Sequence, residues 1–348
     1  MDYLKGTLIL LVTIGHSLQF FAYHNTGFFS DGLFKAIYMF HMPMFISISG
    51  FLAYSSLQRS SFLGFLLQKT ASYVLPIFVW AFIYKTATAL VMGRLYLSEL
   101  PRLIWQEAIQ SQWFIWVLFT CLVIARVSYA ASSRLFLITC TALIPVILAL
   151  PEHGQLVMLK FMYPFFVTGL IIASVKIDRV KLSHPLAWML AAAGTIACYA
   201  AWTTDTYVYT TGMSVDILNI PNVTLRLAGG LCGSFFGFLL LSYLHSITGA
   251  KIRIFIESMG RSSLCIYIIQ GYIFIMASKV TSKLYAPISN HAWAWGLAAG
   301  LGILLSIFCF AIGRLISRSP MLGFLLLGKG LKAKNLFLTK QPSVTAPA

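Results

Sequence analysis

Charged residues are scarce in this chain, and acidic residues are scarcer still. Only 10% of its 348 residues are charged, with 25 Lys and Arg against 9 Asp and Glu, whereas 59% are hydrophobic. An ordinary soluble domain carries about 25% charged residues. The mean hydropathy of +0.84 likewise lies outside the soluble range. This composition excludes an ordinary soluble domain and indicates an integral membrane protein.

Cysteine is also scarce, and its placement suits neither a disulfide framework nor a metal centre. All six cysteines fall inside apolar stretches, where they are expected to pack as small apolar residues. No zinc-ligand spacing is present. We therefore predict no metal site and no permanently bound cofactor.

Apolar stretches long enough to cross a bilayer recur along the chain and are separated by short polar segments. They predict an all-α integral membrane fold with about ten transmembrane helices. The predicted spans are 4–23, 37–55, 71–92, 113–131, 133–150, 157–175, 186–203, 224–248, 262–280 and 293–316.

The net charge of +16 would suit a nucleic-acid partner if the cations were clustered, but they alternate from loop to loop. With the N-terminus in the cytoplasm, most Lys and Arg residues fall on that side. The positive-inside rule therefore predicts that both termini are cytoplasmic. This pattern indicates membrane lipids as the surroundings and no nucleic-acid partner.

No loop is long enough to hold an independently folded core. We predict one membrane domain over 1–318 and a basic, flexible cytoplasmic tail over 319–348, whose lysines can contact anionic lipids. We expect the first span to be retained as a signal anchor. The longest external loop, about 203–223, is either a cover for a sugar-binding cleft or a solvated connector.

Lys5 and His16 lie eleven positions apart in the first span. That spacing is about three helical turns, so both share one face at depths differing by about 16 Å. Lys5 alone is explained by snorkelling to headgroups. His16 is either a neutral imidazole satisfied by a neighbouring helix or a general base. His41, early in the next span, is either interfacial or close in depth to His16.

The ninth span presents Ser263, Tyr267 and Gln270 at i, i+4 and i+7, which places them on one helix face. In a bilayer this stripe either satisfies a neighbouring helix or lines a channel for an acyl group or its acceptor. Glu257 precedes Arg261 by four residues, a spacing typical of a helix-end ion pair.

Several of these motifs together resemble the acyltransferase-3 family of membrane O-acyltransferases. They are the Asp-Tyr-Leu-Lys-Gly opening with ten positions between Lys5 and His16, then Phe-His-Met-Pro and Ile-Ser-Gly-Phe-Leu, the Trp-Phe-x-x-x-Leu element from Trp113, and the Glu-x-x-Gly-x-x-Ser-Leu element from Glu257. Relatives in this family acetylate bacterial O-antigen, capsule and exopolysaccharide.

The resemblance implies that His16 is the catalytic base and that His41 lines the same cavity. It implies that Lys5 replaces a more frequent Arg and either lies near the acyl-CoA phosphates or orients the site. Lys69 would lie on the same basic rim. Trp113 and Tyr267 are candidate oxyanion donors. The candidate residues for binding substrate or acyl-CoA are Lys5, Lys69, Trp113, Glu257, Ser263, Tyr267 and Gln270.

Two departures from the family pattern concern these sites. Only Lys69 stands before Pro76, where the family often has two basic residues. The late element commonly continues to a histidine, whereas this chain has Gln270, which hydrogen-bonds but is not a base at neutral pH.

The resemblance therefore predicts a multi-pass enzyme of the bacterial inner membrane. It would move an acetyl or other short acyl group from cytoplasmic acyl-CoA, acetyl-CoA above all, to a hydroxyl of a cell-surface or lipid-linked glycan. Transfer is either direct or through an acyl-enzyme. Two other functions stay open: a proton-coupled secondary transporter, and a non-catalytic component of a glycan-export complex.

Overall fold

A computed structural model of the chain describes residues 1–91, 98–175, 184–284 and 286–330, and within these ranges it contains helices and no strands. The α-helices are α1 Asp2–Ser17, α2 Gly32–Tyr38, α3 His41–Arg59, α4 Phe62–Lys69, α5 Leu75–Val91, α6 Leu100–Ser111, α7 Trp113–Ala131, α8 Phe136–Ala149, α9 Leu156–Ser174, α10 Pro185–Ala201, α11 Val208–Thr211, α12 Ile220–Ile247, α13 Ala250–Arg261, α14 Ser263–Leu284, α15 His291–Ile316 and α16 Pro320–Leu327.

Seven helical stretches among the described residues are long and apolar enough to span a membrane. They are Asp2–Ala22, Gly32–Arg59, Phe62–Val91, Trp113–Ala131, Leu156–Ser174, Ile220–Ile247 and His291–Ile316. The pair α13–α14 makes an eighth if it counts as one span. The predicted spans 133–150 and 186–203 correspond to the shorter apolar helices α8 and α10. The all-α membrane fold is confirmed, while the count of ten and the cytoplasmic termini stay predictions.

Five α-helices lie outside the predicted spans, namely α4, α6, α11, α13 and α16, and two of these, α6 and α16, contact α5. Helix α6 connects to α5 through an ion pair of 2.9 Å between Lys85 Nζ and Glu107 Oε2. Helix α16 falls within the predicted tail of 319–348. It packs on α5, where Trp80 Nε1 donates a hydrogen bond of 2.9 Å to the Leu326 carbonyl oxygen. Residues 331–348 of that tail lie outside the described residues.

Four spans are interrupted by breaks in the α-helix, and one of these breaks, at Met39 and Phe40, separates α2 from α3. A π-helical segment, Leu18–Ala22, continues α1, and a second one, Thr70–Val74, joins α4 to α5. Helices α13 and α14 meet at an angle of 73°. Such breaks re-aim side chains and are frequent at functional sites.

Glycines bring the backbones of two helix pairs into contact. A Cβ at Gly260 of α13 would overlap the Asp2 carbonyl oxygen and the Gly6 backbone of α1. At the crossing of α3 and α9, Gly50 lies against the Phe166 carbonyl in the same way. Small residues permit this close approach where lipid supplies no hydrophobic driving force. The crossing of α1 and α13 fixes the helix that carries Lys5 and His16.

Candidate active site

His16, near the end of α1, lines a cavity of about 300 Å³. Three other candidates from the sequence line the same space. They are Trp113 at the start of α7, and Tyr267 and Gln270 on α14. The structure therefore brings together four predicted site residues from three helices that are distant in sequence. We call this space the imidazole cavity.

Gln270 sets the tautomer of the His16 ring. The Nδ1 atom of His16 lies 3.0 Å from the Oε1 atom of Gln270. An amide oxygen only accepts hydrogen bonds, so Nδ1 carries the proton and donates it. The Nε2 atom then keeps its lone pair and makes no hydrogen bond to a described residue. This tautomer leaves the ring with one nitrogen that can accept a proton.

Aromatic rings and amides make up most of the remaining lining. Phe274 packs edge-on against His16 with ring centroids 5.5 Å apart. The lining also includes Tyr38, Tyr209, Gln19 and Gln112, and among the described residues it contains no Asp, Glu, Lys or Arg. Flat aromatic faces with amide hydrogen-bonding groups suit an uncharged, hydroxyl-rich ligand.

Asp31 holds one wall of the imidazole cavity in place. Its Oδ1 atom accepts the Phe34 backbone N–H at 2.8 Å and so caps α2, which carries Phe34 and Tyr38 to the cavity. Its Oδ2 atom accepts hydrogen bonds from Tyr23 at 2.7 Å and Trp295 at 2.9 Å.

The hydrogen bonds outweigh the cost of burying the Asp31 charge. Burial opposes ionisation of this carboxylate, but the Phe34 amide, Tyr23, Trp295 and His291, the last at 3.2 Å, together lower its pKa from the usual 3.8. Asp31 is therefore ionised at neutral pH. Burial, followed by the hydrogen bond to Asp31 and its negative charge, raises the pKa of the Tyr23 hydroxyl, so that hydroxyl remains a donor.

A second cavity, of about 250 Å³, lies towards the N-terminal end of α1 and is lined by cations. Lys5, Lys69 and Arg261 line it, together with Ser263. Lys5 Nζ pairs with Asp2 Oδ1 at 2.9 Å, whereas Lys69 makes no ion pair with a described residue and lies 5.4 Å from the centre of the Phe65 ring. We call this space the cationic cavity. Three cations facing one acidic residue make it suitable for an anion.

Residues at or beside the helix breaks line both cavities. The π-helical segment Leu18–Ala22 begins two residues after His16, and Thr70–Val74 begins directly after Lys69. The bend between α13 and α14 places Arg261 and Ser263 at the cationic cavity. A sequence periodicity that assumes straight helices does not reveal these changes of direction.

The structure places His41 apart from the imidazole cavity, which corrects the expectation that it lines the same space. The side chain is 2% exposed, and its Nδ1 atom donates a hydrogen bond of 2.7 Å to the Ile37 carbonyl oxygen. The Tyr38 ring packs edge-on against it at 4.7 Å. The break between α2 and α3 turns the imidazole into a space of about 20 Å³ behind Tyr38.

Glu257 lines neither cavity. Its Oε1 atom lies 3.2 Å from Nε2 of His245 on α12, so the expected ion pair with Arg261 is wrong. Arg261 instead lies 3.8 Å from Asp2 Oδ2 and donates a hydrogen bond to Ser258. Because α13 crosses the first turn of α1, the Arg261 side chain turns towards Asp2.

Sequence reasoning missed Arg226, which organises the loop before α12. Its fully buried guanidinium donates to the Thr206 carbonyl at 2.6 Å and to the Tyr207 carbonyl at 3.1 Å. It also donates to the Gly212 carbonyl. These contacts hold Tyr209 in the imidazole cavity. A lone arginine early in an apolar span was the available signal.

Comparisons with known proteins identify the family of this chain. A family model for an acyltransferase domain matches residues 1–312. Nodulation protein NolL of Mesorhizobium japonicum is 27% identical over 330 residues, covering 91% of this chain and 86% of the relative. Nodulation protein NolL of Sinorhizobium fredii is 28% identical over 294 residues, covering 80% and 78%. No solved structure matches significantly. The chain, a multi-pass membrane protein, belongs to the acyltransferase-3 family.

Proposed function

We propose that this membrane acyltransferase moves an acetyl or other short acyl group from cytoplasmic acyl-CoA to a hydroxyl of a cell-surface or lipid-linked glycan. The proposed location is the bacterial inner membrane, with His16 as the general base. One observation carries the proposal: His16 lines a cavity inside the membrane domain, and the 3.0 Å hydrogen bond from its Nδ1 atom to Gln270 leaves the Nε2 lone pair without a partner among the described residues.

The cationic cavity supports the donor side of the reaction. Lys5, Lys69 and Arg261 offer hydrogen-bond donors and positive charge to phosphate groups, which favours the CoA moiety. The positive-inside pattern predicts that this end of the bundle is cytoplasmic, on the side where acyl-CoA is made. This chain lacks the second basic residue that the family often has before Pro76. Arg261, from a different helix, supplies a third positive charge to the cationic cavity and offsets that absence.

The imidazole cavity supports the acceptor side. Trp113 and Tyr209, whose ring centroids are 6.5 Å apart, offer faces for a sugar ring. Gln112 and Gln19 offer amide groups to sugar hydroxyls. The loop that carries Tyr209 supports the role of a cover over a sugar-binding cleft.

Direct transfer needs only His16 as a base. As the sugar oxygen attacks the thioester carbonyl carbon, the hydroxyl proton passes to His16 Nε2. The carbon–sulfur bond then breaks, and the CoA sulfur takes the proton from the imidazolium. The products are the acyl ester and the CoA thiol, and the neutral His16 tautomer is restored.

The test is transfer of radiolabelled acetate from acetyl-CoA in inverted membrane vesicles from the producing bacterium, with the chromosomal gene replaced by each variant. We expect base-labile label on the glycan with the wild type and loss of about 10²-fold or more with His16→Ala. His153→Gln is the matched control, because His153 is an exposed loop histidine. Equal labelling by the wild type and His16→Ala would remove His16 from the mechanism.

The same vesicles separate the two other functions considered. A proton-coupled transporter would move substrate in response to a pH gradient and without acyl-CoA. A non-catalytic export component would leave acetylation intact in His16→Ala. Acyl-CoA does not cross membranes unaided, so we expect labelling in inverted vesicles and none in sealed right-side-out vesicles.

A further inference from the structure

Tyr267 separates the two cavities. Among the described residues it is the one side chain that lines both the imidazole cavity and the cationic cavity. It lies on α14, one turn beyond Ser263 of the cationic cavity and one turn before Gln270 of the imidazole cavity. Tyr267 thus stands between the proposed donor site and the proposed base.

Two consecutive residues at the start of α7 extend this boundary. Trp113 lines the imidazole cavity and Phe114 lines the cationic cavity. Their ring centroids are 5.8 Å apart, and the Phe114 and Tyr267 centroids are 5.7 Å apart. Phe114 also packs edge-on against Phe45 at 5.6 Å. An aromatic layer therefore lies between the cationic cavity and the imidazole cavity.

We propose that the Tyr267 side chain is a partition between the two cavities. The acyl end of the thioester passes this partition to reach His16, and at other times the partition keeps water away from that thioester. This inference rests on the proposed function and adds a positioning residue to it. It treats the Tyr267 side chain as a barrier whose bulk matters. The role of oxyanion donor, for which Tyr267 is also a candidate, depends instead on the hydroxyl.

The partition matters chemically because His16 does not distinguish a sugar hydroxyl from water. If water reached the thioester beside His16, its oxygen would attack the carbonyl carbon. The carbon–sulfur bond would break, and the products would be the free carboxylate, a proton and the CoA thiol. Exclusion of water prevents this hydrolysis and directs the acyl group to the acceptor.

The partition predicts a different effect for each of three substitutions. Tyr267→Ala joins the two cavities, so we expect the ratio of acetate released to acetyl ester formed to rise about tenfold or more. Tyr267→Phe keeps the ring, and its ratio should stay near that of the wild type. Tyr267→Trp fills the passage, so transfer and hydrolysis should both fall. Free CoA should still compete with acetyl-CoA for the donor site of this variant.

The experiment uses radiolabelled acetyl-CoA in the inverted vesicles described above and measures both products together with the amount of each variant in the membrane. Tyr73→Ala is the matched control, because Tyr73 lines the cationic cavity only. It should lower both products together without changing their ratio. A wild type that makes no acetyl ester would overturn the proposed function itself.

If the wild type is active, either of two results contradicts the partition without contradicting the proposed function. One is an unchanged ratio in Tyr267→Ala. The other is a Tyr267→Phe variant that loses transfer as fully as Tyr267→Ala, which would assign the role to the hydroxyl. If Tyr267→Ala does not accumulate in the membrane, Tyr267→Trp decides. Transfer by that variant at the wild-type rate contradicts a passage at this position.

Discussion

The imidazole of His16 donates a hydrogen bond of 3.0 Å from its Nδ1 atom to the Oε1 atom of Gln270. The direction of this bond is fixed because an amide oxygen only accepts. The family commonly has a histidine at the position of Gln270. A neutral histidine also accepts a hydrogen bond through one ring nitrogen. Gln270 therefore replaces one hydrogen-bond acceptor for His16 with another. This departure from the family pattern does not by itself remove a base from the site.

Substitutions of Gln270 test this pairing. Gln270→Leu removes the acceptor, so the His16 tautomer is no longer fixed, and we expect acetyl transfer to fall by about 10²-fold, the lower end of what a general base contributes. Gln270→His restores an acceptor and should retain most of the activity. The measurement is the initial rate of ester formation per amount of protein in membranes. Equal loss in both variants would contradict the tautomer role.

The cationic cavity predicts a loss that depends on the donor. Lys69→Met or Arg261→Gln should raise the KM for acetyl-CoA by about tenfold, because a charge-assisted hydrogen bond contributes about 1.5–3 kcal/mol. Acetyl-pantetheine lacks the phosphates of CoA, and its KM should hardly change. Lys251→Gln is the control, since Lys251 is exposed on α13 and lines neither cavity. Equal effects on both donors would argue against phosphate binding.

The crossing of α1 and α13 predicts a loss of stability from one added methyl group. In Gly260→Ala, the Cβ atom meets the Asp2 carbonyl oxygen, so the helices must separate at a cost of about 1–3 kcal/mol. We expect a lower Tm in detergent and weaker donor binding, because α13 also carries Arg261. Gly300→Ala on α15 is the control. Its Cβ meets nothing within 4 Å, and its Tm should be unchanged or higher.

Much of the membrane fold could be predicted because the residues that form spans are contiguous and apolar. The eleven-residue spacing of Lys5 and His16 requires only one continuous helix, and α1 provides it. Trp113, Tyr267 and Gln270 were candidates through motifs and helical periodicity, and the structure gathers them around His16. Their catalytic and binding roles stay predictions.

The division into two cavities could not be read from the sequence. It depends on where helices break and which residues face each other across different helices. His41 shows this limit, because the break before α3 turns it behind Tyr38. Arg261 shows it too, since the crossing of α1 and α13 decides its partner. Periodicity specifies the face of a helix but not the neighbour of that face.

The last prediction concerns acid stability and rests on Asp31, which lies in the loop before α2. Its pKa in the folded protein is below the usual 3.8, so its ionised form favours the fold. The stabilisation is fully present above that value and is lost as the pH falls through the lower, folded pKa. We therefore expect the Tm in detergent to fall below about pH 4 from this group.

Asp31→Asn should lower the Tm at neutral pH and weaken this acid dependence. An amide nitrogen in the place of Oδ2 cannot accept from Tyr23 and Trp295, and each buried donor left without an acceptor costs about 1–3 kcal/mol. Because the lost hydrogen bonds from Tyr23 and Trp295 fix the start of α2 beside the imidazole cavity, the variant should also raise the KM for the acceptor more than the KM for acetyl-CoA. Asp205→Asn, at an exposed position in the 3-10 helical turn Thr204–Thr206, is the control and should keep the wild-type acid dependence. An Asp31→Asn variant with the same acid transition as the wild type would show that other carboxylates control it.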